Sequence, residues 1–385
     1  MILAAHRSVG RLGLSPATLA GDADGGGREE EAVSNFDEAL ERLHRGDLEY
    51  AGGLANHGPM GAEALERLGH QGLIPAFLGL YAPRLPPAEP GSVMSDSEAK
   101  DSLGDISRGA DWVATFEARL DGGDWRTIVA NSVPELMPGV FAGAGHGFLR
   151  TAHAVRSLER EDSPLRRREL ARGLAYWSAR YQTLPGGSGC GATPVRDLAE
   201  EFSSWPLVGE PEARSGMFFE GVRHLDRFPA FSAAIQRFER PHAEELSAFL
   251  SSLCRLAASA YLAHPGSRIP YVHVLTIPSA MRLVAPLLDE QEACLGAAYV
   301  FQAMAAMHSI FGEGLVIEEP DEEVARIAED WDEIRYHAAC SLQEHAIKMV
   351  EACWREDQVT EARSLRLAAA DAALKIDGRT RAAQC

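Results

Sequence analysis

The chain has 385 residues but only six cysteines, and no two of them form a C-x-x-C pair. They are Cys190, Cys254, Cys294, Cys340, Cys353 and Cys385. Cysteines scattered in this way are typical neither of a zinc ribbon nor of a disulfide scaffold. The simpler interpretation is a set of free thiols in a reducing compartment.

Long apolar runs and an excess of positive charge are also missing. No stretch reaches the ~18 uninterrupted apolar residues of a membrane span, and no apolar signal-peptide core follows the N-terminus. Lys and Arg total 37 against 56 Asp and Glu, for a formal net charge of -19. Because such a surface repels phosphate backbones, we predict no nucleic-acid partner. Because the sequence shows neither a signal peptide nor a membrane span, we also predict a cytoplasmic protein without a membrane partner.

Several short catalytic and cofactor motifs do not occur. There is no G-x-S-x-G nucleophile elbow and no H-E-x-x-H metal motif. The segment 143–147 resembles the start of a dinucleotide fingerprint, but it lacks the third glycine and a preceding strand. The glycine loop at 186–191 lacks the Lys-Ser/Thr ending of a P-loop. We therefore expect no flavin, and the sequence carries no local sign of nicotinamide or nucleotide binding.

The chain does carry many segments with helical periodicity. Residues 1–33, which contain a glycine-rich run, predict a flexible N-terminal tail. Ser34 followed by Asp37 resembles a capping box and predicts that ordered structure begins there. The spacing of apolar residues predicts helices at 59–68, 74–81, 112–120, 125–133, 146–158, 168–181, 217–237, 241–263, 278–288, 290–311, 320–356 and 357–374. Residues 84–106 read as a loop and 269–276 as the best strand candidate. We predict an all-α fold, with one large multi-helix catalytic domain over residues 34–385 and very little strand.

Four of the thirteen histidines lie in unusual surroundings. His57 and His146 stand at predicted helix starts beside glycines, which let a ligand or metal approach closely. His273 lies in the apolar segment 271–275, and His345 lies in a predicted helix. For each alone, a hydrogen-bonded structural role is the more common outcome. Together they form a candidate metal site, because imidazole is the commonest metal ligand in proteins.

Helical spacing adds three further residues to the candidate site. Lys348 lies three residues after His345, and therefore on the same helix face. In an apolar setting a lysine pKa falls, and a neutral lysine can act as a base or take up CO2 to form a carbamate, a carboxylate-like ligand. The alternative is a solvated lysine or one paired with Glu344 or Glu351. His153, two turns after His146, and Arg150, one turn after it, are predicted as catalytic residues; ordinary packing is the alternative for both.

Five short motifs occur in the order found in the questin oxidase-like family, and the resemblance spans residues 35–356. They are Asn56-His57-Gly58-Pro59-Met60 with Glu63-Ala64-Leu65, Gly145-His146-Gly147-Phe148-Leu149-Arg150, Leu174-Ala175-Tyr176-Trp177, Tyr271-Val272-His273-Val274-Leu275-Thr276 and Glu344-His345-Ala346-Ile347-Lys348. Members of this family open anthraquinone-type rings oxidatively in aromatic polyketide metabolism. They lack a flavin motif, and metal-dependent oxygen chemistry is attributed to them.

The resemblance implies an oxygenase that acts on a small polycyclic aromatic substrate. By this resemblance, His57, His146, His273, His345 and Lys348 are expected to be ligands of Fe(II). O2 is then the expected co-substrate, and NADPH is a candidate external reductant. Tyr176, Trp177 and Tyr271 are then candidates for stacking on the substrate or hydrogen bonding to it, with plain core packing as the alternative. Three other functions stay open: a cofactor-free oxygenase, a metal-dependent hydrolase, and a non-catalytic helical protein that binds an aromatic metabolite.

Overall fold

A computed structural model describes residues 34–194, 202, 204–316 and 319–376. Its helices are α1 Asn35–Leu43, α2 Gly58–Arg67, α3 Ile74–Tyr81, α4 Asp96–Asp101, α5 Gly109–Leu120, α6 Trp125–Leu136, α7 His146–Arg160, α8 Pro164–Ala179, α9 Phe218–Gly221, α10 Pro229–Arg237, α11 Leu246–Ala263, α12 Arg268–Val284, α13 Glu290–Phe311, α14 Glu322–Ile327, α15 Trp331–Ser341, α16 Glu344–Val359 and α17 Arg363–Lys375. The strands β1 (Glu49–Tyr50) and β2 (Leu54–Ala55) form a two-residue antiparallel ladder. The prediction of an all-α fold with very little strand is confirmed.

Four helices form a ring at the centre of the fold. Helix α2 packs on α7, α7 on α12, α12 on α16, and α16 on α2. Helix α8 covers α7 from outside, and α11, α13 and α17 pack around α12 and α16. One continuous hydrophobic core runs through these elements. The predicted tail, residues 1–33, lies outside the described residues, as do the last nine residues of the predicted catalytic domain.

Local sequence signals explain where several helices begin. The Ser34 side chain accepts a hydrogen bond from the backbone N–H of Asp37, as the capping signal predicts. Pro59 lies in the first turn of α2, where a missing N–H costs nothing. Gly147 and Gly173 bring α7 and α8 into close contact, since a Cβ added at Gly147 would lie 2.4 Å from Cα of Trp177.

The strand predicted at 269–276 is wrong, because these residues lie inside α12. The segment is rich in β-branched and aromatic residues, which favour strands. A helix that is buried on all sides has the same continuous apolar pattern as a buried strand. Residues from Pro270 to Met281 are all buried. The tertiary environment therefore overrides the local propensity.

Other boundaries also differ from the prediction, since the helix predicted over 217–237 is divided into α9 and α10, and the one predicted over 278–288 begins at Arg268. The predicted loop at 84–106 contains α4, which Ser95 and Glu98 begin with a capping box. The helix predicted over 320–356 is divided into α14, α15 and the first part of α16. Leu342, with φ +52°, ends α15 in the left-handed conformation. His345 therefore lies in the first turn of a new helix and not in the middle of a long one.

Two long helical stretches have the length and apolar composition of a membrane span. They are Ala243–Ala263 and Glu290–Phe311. In the second, 83% of the most apolar 18-residue segment is buried within the protein. Core helices of soluble proteins often meet the same criterion, because a helix surrounded by protein is apolar on every side. The absence of a membrane partner stays a prediction.

Candidate metal centre

Three of the four predicted histidine ligands stand at helix N-termini. His57 caps the start of α2, His146 is the first residue of α7, and His345 is the second residue of α16. Gly145, with φ +83°, brings the chain into α7 close against α12, since a Cβ there would lie 2.5 Å from the Ile277 side chain. Local turn geometry thus directs three imidazoles to one end of the ring.

The fourth histidine comes from within α12. His273 is 1% exposed, and its Nδ1 lies 2.8 Å from the carbonyl oxygen of Ile269, one turn earlier in the helix. This carbonyl bond orients the ring so that Nε2 points toward the other three histidines. The edge of the Phe218 ring packs on the same imidazole, with ring centroids 5.6 Å apart.

The structure brings all four imidazoles together. One ring nitrogen from each of His57, His146, His273 and His345 lies within 4.8 Å of the others, and all four residues are buried. Nε2 of His146 lies 2.6 Å from Nε2 of His57 and 3.0 Å from Nε2 of His273. Two imidazoles bound to one metal at about 2.1 Å place their nitrogens about 3 Å apart, so the spacing fits a shared ion.

Hydrogen bonds fix the protons on two of these rings. Nδ1 of His146 lies 2.5 Å from the Gly143 carbonyl oxygen, and a carbonyl only accepts, so this nitrogen carries the proton. The same argument places the proton of His273 on Nδ1. In the neutral rings both Nε2 atoms are then unprotonated, and their lone pairs face each other with the two nitrogens 3.0 Å apart. A cation between them removes that repulsion, and a carbonyl on the second nitrogen is typical of metal-bound histidine.

The surroundings keep these rings neutral. Burial, helped by the positive charge of Lys348, lowers the pKa of His273 to about 3. Burial likewise holds the pKa values of His57, His146 and His345 well below the ordinary range. Neutral imidazole is the form that binds metals. Within the described residues, no carboxylate or thiolate belongs to the cluster.

Among the described residues, Lys348 is the one buried cation whose charge acts on all four imidazoles. It lies on α16, one turn after His345, and is 1% exposed. Its Nζ has no hydrogen-bond partner among the described residues. Burial lowers the pKa of this amine to about 7, with the nearby Glu344 acting in the opposite direction. A large part of the amine is therefore neutral near pH 7, as the sequence argument requires.

A cavity of about 340 Å³ opens onto the cluster, and all four histidines line it. Its other walls are mainly glycine and apolar side chains, among them Gly53, Gly143, Phe218 and Phe219. This volume is at the lower end of the ~300–1,000 Å³ range of ligand pockets. A larger groove of about 680 Å³ runs along the surface beside α5 and α8, but none of its lining residues belongs to the cluster.

The two residues predicted as catalytic lie outside the cavity. Arg150 forms a buried two-point ion pair with Glu169, at 2.5 and 2.8 Å. His153 contacts Glu63, with Nδ1 2.8 Å from the carboxylate. Arg150 and His153 lie one and two helical turns after His146, and therefore away from the cluster. Glutamates on neighbouring helices bind them there. Neither residue is positioned to touch a substrate in this cavity.

The three predicted substrate-binding aromatics do not line the cavity either. The Tyr176 hydroxyl donates to Glu49 at 2.8 Å, and the Trp177 indole N–H donates to the Gly139 carbonyl at 2.9 Å. Tyr176 lies directly behind the cavity wall, since a Cβ on Gly143 would lie 2.7 Å from its hydroxyl. Tyr271 bonds to His308, with 2.5 Å between its hydroxyl and Nδ1. All three side chains are thus held by hydrogen bonds to residues outside the cavity lining.

Sequence reasoning missed the residues that form the cavity. Phe218 and Phe219 belong to the short helix α9, within a region predicted as one long helix. Gly52 and Gly53 form the turn between the two strands, with φ +82° and +132°. The positive φ values make glycine the natural choice there. The adjacent glycines signal a turn, but nothing local indicates that this turn faces the histidines.

No protein-family model and no curated protein matches this chain. The resemblance to the questin oxidase-like family therefore rests on the five motifs alone.

Proposed function

We propose that this protein is a cytoplasmic non-heme iron oxygenase. It uses O2 to cleave a C–C bond in a small polycyclic aromatic metabolite of the anthraquinone type. The observation that carries the proposal is the cluster of four buried, neutral imidazoles on the wall of an apolar cavity. The ordered motifs that resemble the questin oxidase-like family support the reaction and the substrate class.

The donor set fits a redox metal. Neutral imidazoles suit zinc, copper, iron and nickel, so the ligands alone do not select iron. Bare lone pairs on His146 and His273, together with the buried Lys348 amine, are groups that a bound cation and an added anionic ligand would satisfy. Ferrous iron would supply the unpaired electrons that let triplet O2 react with a closed-shell molecule.

Lys348 supports one further ligand. Its neutral amine can add to CO2, forming an N–C bond and releasing one proton, and the resulting carbamate carries one negative charge. This charge would offset part of the charge of a divalent ion held by neutral imidazoles. Lys348 is absent from the cavity lining. The position of the lysine therefore leaves the cavity side of the cluster to the substrate.

The side chains of the cavity would bind and orient a flat apolar molecule. Glycines at 52, 53 and 143 leave smooth walls, and Phe218 and Phe219 supply apolar surface. Arg180 packs over the Phe219 ring at 4.4 Å and forms a two-point ion pair with Glu49, so this wall is held in place. Apart from Glu220 and the histidines, the lining is glycine and apolar side chains, which would favour exclusion of water around a bound substrate.

The reaction balances with an external reductant. A Baeyer–Villiger-type step inserts one oxygen atom between a carbonyl carbon and its neighbour. The other oxygen atom leaves as water, which takes two electrons and two protons, and NADPH with one proton supplies them. Hydrolysis of the ester or lactone formed in this way would complete ring cleavage.

Oxygen uptake by iron-loaded protein tests this function. A panel of hydroxylated anthraquinones with NADPH is the substrate set, and 18O2 followed by mass spectrometry identifies the oxygen that enters the product. We expect uptake, with one labelled atom in the product. His57→Gln should abolish it, while His308→Gln, which changes a buried histidine outside the cluster, should retain it.

Three results would each favour another function. Uptake that continues in the metal-free parent and in His57→Gln would indicate a cofactor-free oxygenase. Two zinc-type ions and hydrolysis of an ester without oxygen uptake would indicate a metal-dependent hydrolase. Binding without turnover that persists in His57→Gln would indicate a helical binding protein.

A further inference from the structure

A polar layer lies beneath the histidine cluster and joins the four ligand helices. Each of these helices contributes a member six to ten residues after its histidine. The members are Glu63 on α2, His153 and Arg156 on α7, Ser279 on α12, and Glu351 and Arg355 on α16. Because a helix rises 1.5 Å per residue, this polar layer lies about 9–15 Å from the imidazoles. All four helices therefore run from the cluster to the layer in the same direction.

Arg156 is the centre of the polar layer. Its guanidinium contacts both carboxylate oxygens of Glu63, with Nε 2.8 Å from Oε1. Its third nitrogen, Nη1, contacts Oε1 of Glu351. One side chain of α7 thus joins α2 to α16. The fork of a guanidinium has the geometry to bind two carboxylates at once, and an ammonium does not.

The remaining contacts connect the layer to α12 and give Glu351 a second cationic partner. Arg355 donates to the backbone oxygen of Ser279 at 2.6 Å and lies 3.2 Å from Glu351. His153 lies 2.8 Å from Glu63. Glu63 and Glu351 are 1% and 2% exposed. Although burial acts to raise the pKa of Glu351, the charges of Arg156 and Arg355 hold it well below its ordinary value. The layer is therefore a charged, fully paired network and not a set of surface ion pairs.

We propose that Arg156, through Glu63 and Glu351, is a positioning residue that sets the spacing of the histidine nitrogens in the metal centre. The role rests on the metal site proposed above. The cluster joins nitrogens from four separate helices, and three of these nitrogens belong to residues at helix N-termini, so their spacing depends on how the helices are placed relative to one another. A rigid connection about two turns below fixes the distance between α2 and α16, and hence the distance between His57 and His345.

The test compares two isosteric changes from carboxylate to amide. Glu351→Gln weakens the polar layer. Asp37→Asn weakens another buried fork, in which Arg166 of α8 binds Asp37 of α1 at 3.1 and 3.2 Å. Neither α1 nor α8 carries a ligand of the cluster. Both variants should lose thermal stability. A difference between them in metal binding therefore reflects the place of the lost ion pair relative to the ligand helices, and not a general loss of stability.

Cobalt(II) is the probe, because its visible absorption reports the geometry of the bound nitrogens. We expect Glu351→Gln to weaken cobalt binding about tenfold, the loss typical when groups behind metal ligands are changed, and to shift the absorption bands. Asp37→Asn should keep both the affinity and the bands of the parent. Arg156→Lys is the second variant; it should show the same weaker cobalt binding and the same kind of band shift, and it carries the test if Glu351→Gln does not fold.

Two results would overturn the role. Parent-like cobalt bands and affinity in both Glu351→Gln and Arg156→Lys would show that the layer does not position the ligands. An equal shift in Asp37→Asn would show that any buried ion pair has the same effect. A parent that binds no cobalt would instead overturn the metal centre itself, which keeps failure of the two proposals distinguishable.

Discussion

The proton on Nδ1 of His146 decides what its other ring nitrogen can do. Gly143 lies in a left-handed turn, with φ +54°, and its carbonyl oxygen accepts a hydrogen bond from that N–H. Nε2 is then left with a single lone pair, although two other imidazole nitrogens approach it at 2.6 and 3.0 Å. Only one of these contacts can be a hydrogen bond. A shared cation would relieve the second contact, so this backbone carbonyl supports the proposed metal site.

Replacement of Lys348 by methionine separates the stability of the protein from its metal binding. The folded protein lowers the pKa of this amine from 10.5 to about 7. Between these values the unfolded chain binds a proton that the folded protein does not, so the lysine costs stability at pH 7, and the cost shrinks as pH rises. Lys348→Met should raise the Tm of the metal-free protein by ~1–2 °C for each kcal/mol recovered, because the shift per kcal/mol becomes smaller as the chain becomes longer.

The same variant should bind ferrous iron at least about tenfold more weakly, since it cannot form a carbamate. Added bicarbonate should strengthen iron binding by the parent and leave Lys348→Met unchanged. Calorimetry and an anaerobic iron titration measure the two effects. A variant that is less stable than the parent and binds iron equally well would contradict the role of Lys348.

At the scale of the element, the histidine cluster depends on how closely α7 approaches α8. Gly147 directly follows His146, and a Cβ there would meet the backbone of Trp177 at 2.4 Å. Because backbone atoms cannot move aside as a side chain does, Gly147→Ala should push the start of α7 away from α8. We expect a loss of about 1–3 kcal/mol in the free energy of unfolding, together with weaker metal binding.

Gly79→Ala is the matched control for this change. Gly79 is exposed within α3, and a Cβ there meets nothing within 4 Å. Alanine should therefore stabilise the helix by about 0.5–1 kcal/mol and leave the metal affinity unchanged. Denaturant unfolding and a cobalt titration measure both variants. Equal metal affinity in Gly147→Ala and the parent would show that the position of His146 does not depend on this contact.

Sequence patterns located most helices but not the features that bring them together. Pro59 and the glycines beside His57 and His146 signal helix starts, and all three of the predicted starts near Ser34, Pro59 and His146 agree with the structure. The end of α15 at Leu342 has no such signal, because leucine rarely adopts a positive φ. The four clustered histidines could be identified because each is unusual in its sequence setting. Contacts such as that of Arg150 with Glu169 depend on tertiary packing, which periodicity does not encode.

At the scale of the whole molecule, buried neutral histidines make stability depend on pH. Burial lowers the pKa of His273 and of His308 to about 3, whereas the unfolded value is 6.5. Between pH 6.5 and 3 the unfolded chain binds protons that the folded protein does not. Each such ring therefore lowers the free energy of unfolding by about 1.4 kcal/mol per pH unit as the pH falls.

We expect the Tm of the metal-free protein, measured by calorimetry in chelator, to fall continuously from pH 7 to pH 5. A metal ion at 100 times its Kd should add about 2.7 kcal/mol of stability at pH 7, because it binds the folded state alone. A Tm that stays constant over this pH range would contradict the burial of neutral imidazoles in the folded protein.

The most direct test of the central claim is the metal content of the purified protein after anaerobic loading with ferrous iron. Elemental mass spectrometry should find about one iron per chain in the parent and in His308→Gln, and none in His146→Gln. Absence of iron from the parent, or equal iron in the parent and His146→Gln, would contradict the four-histidine metal centre.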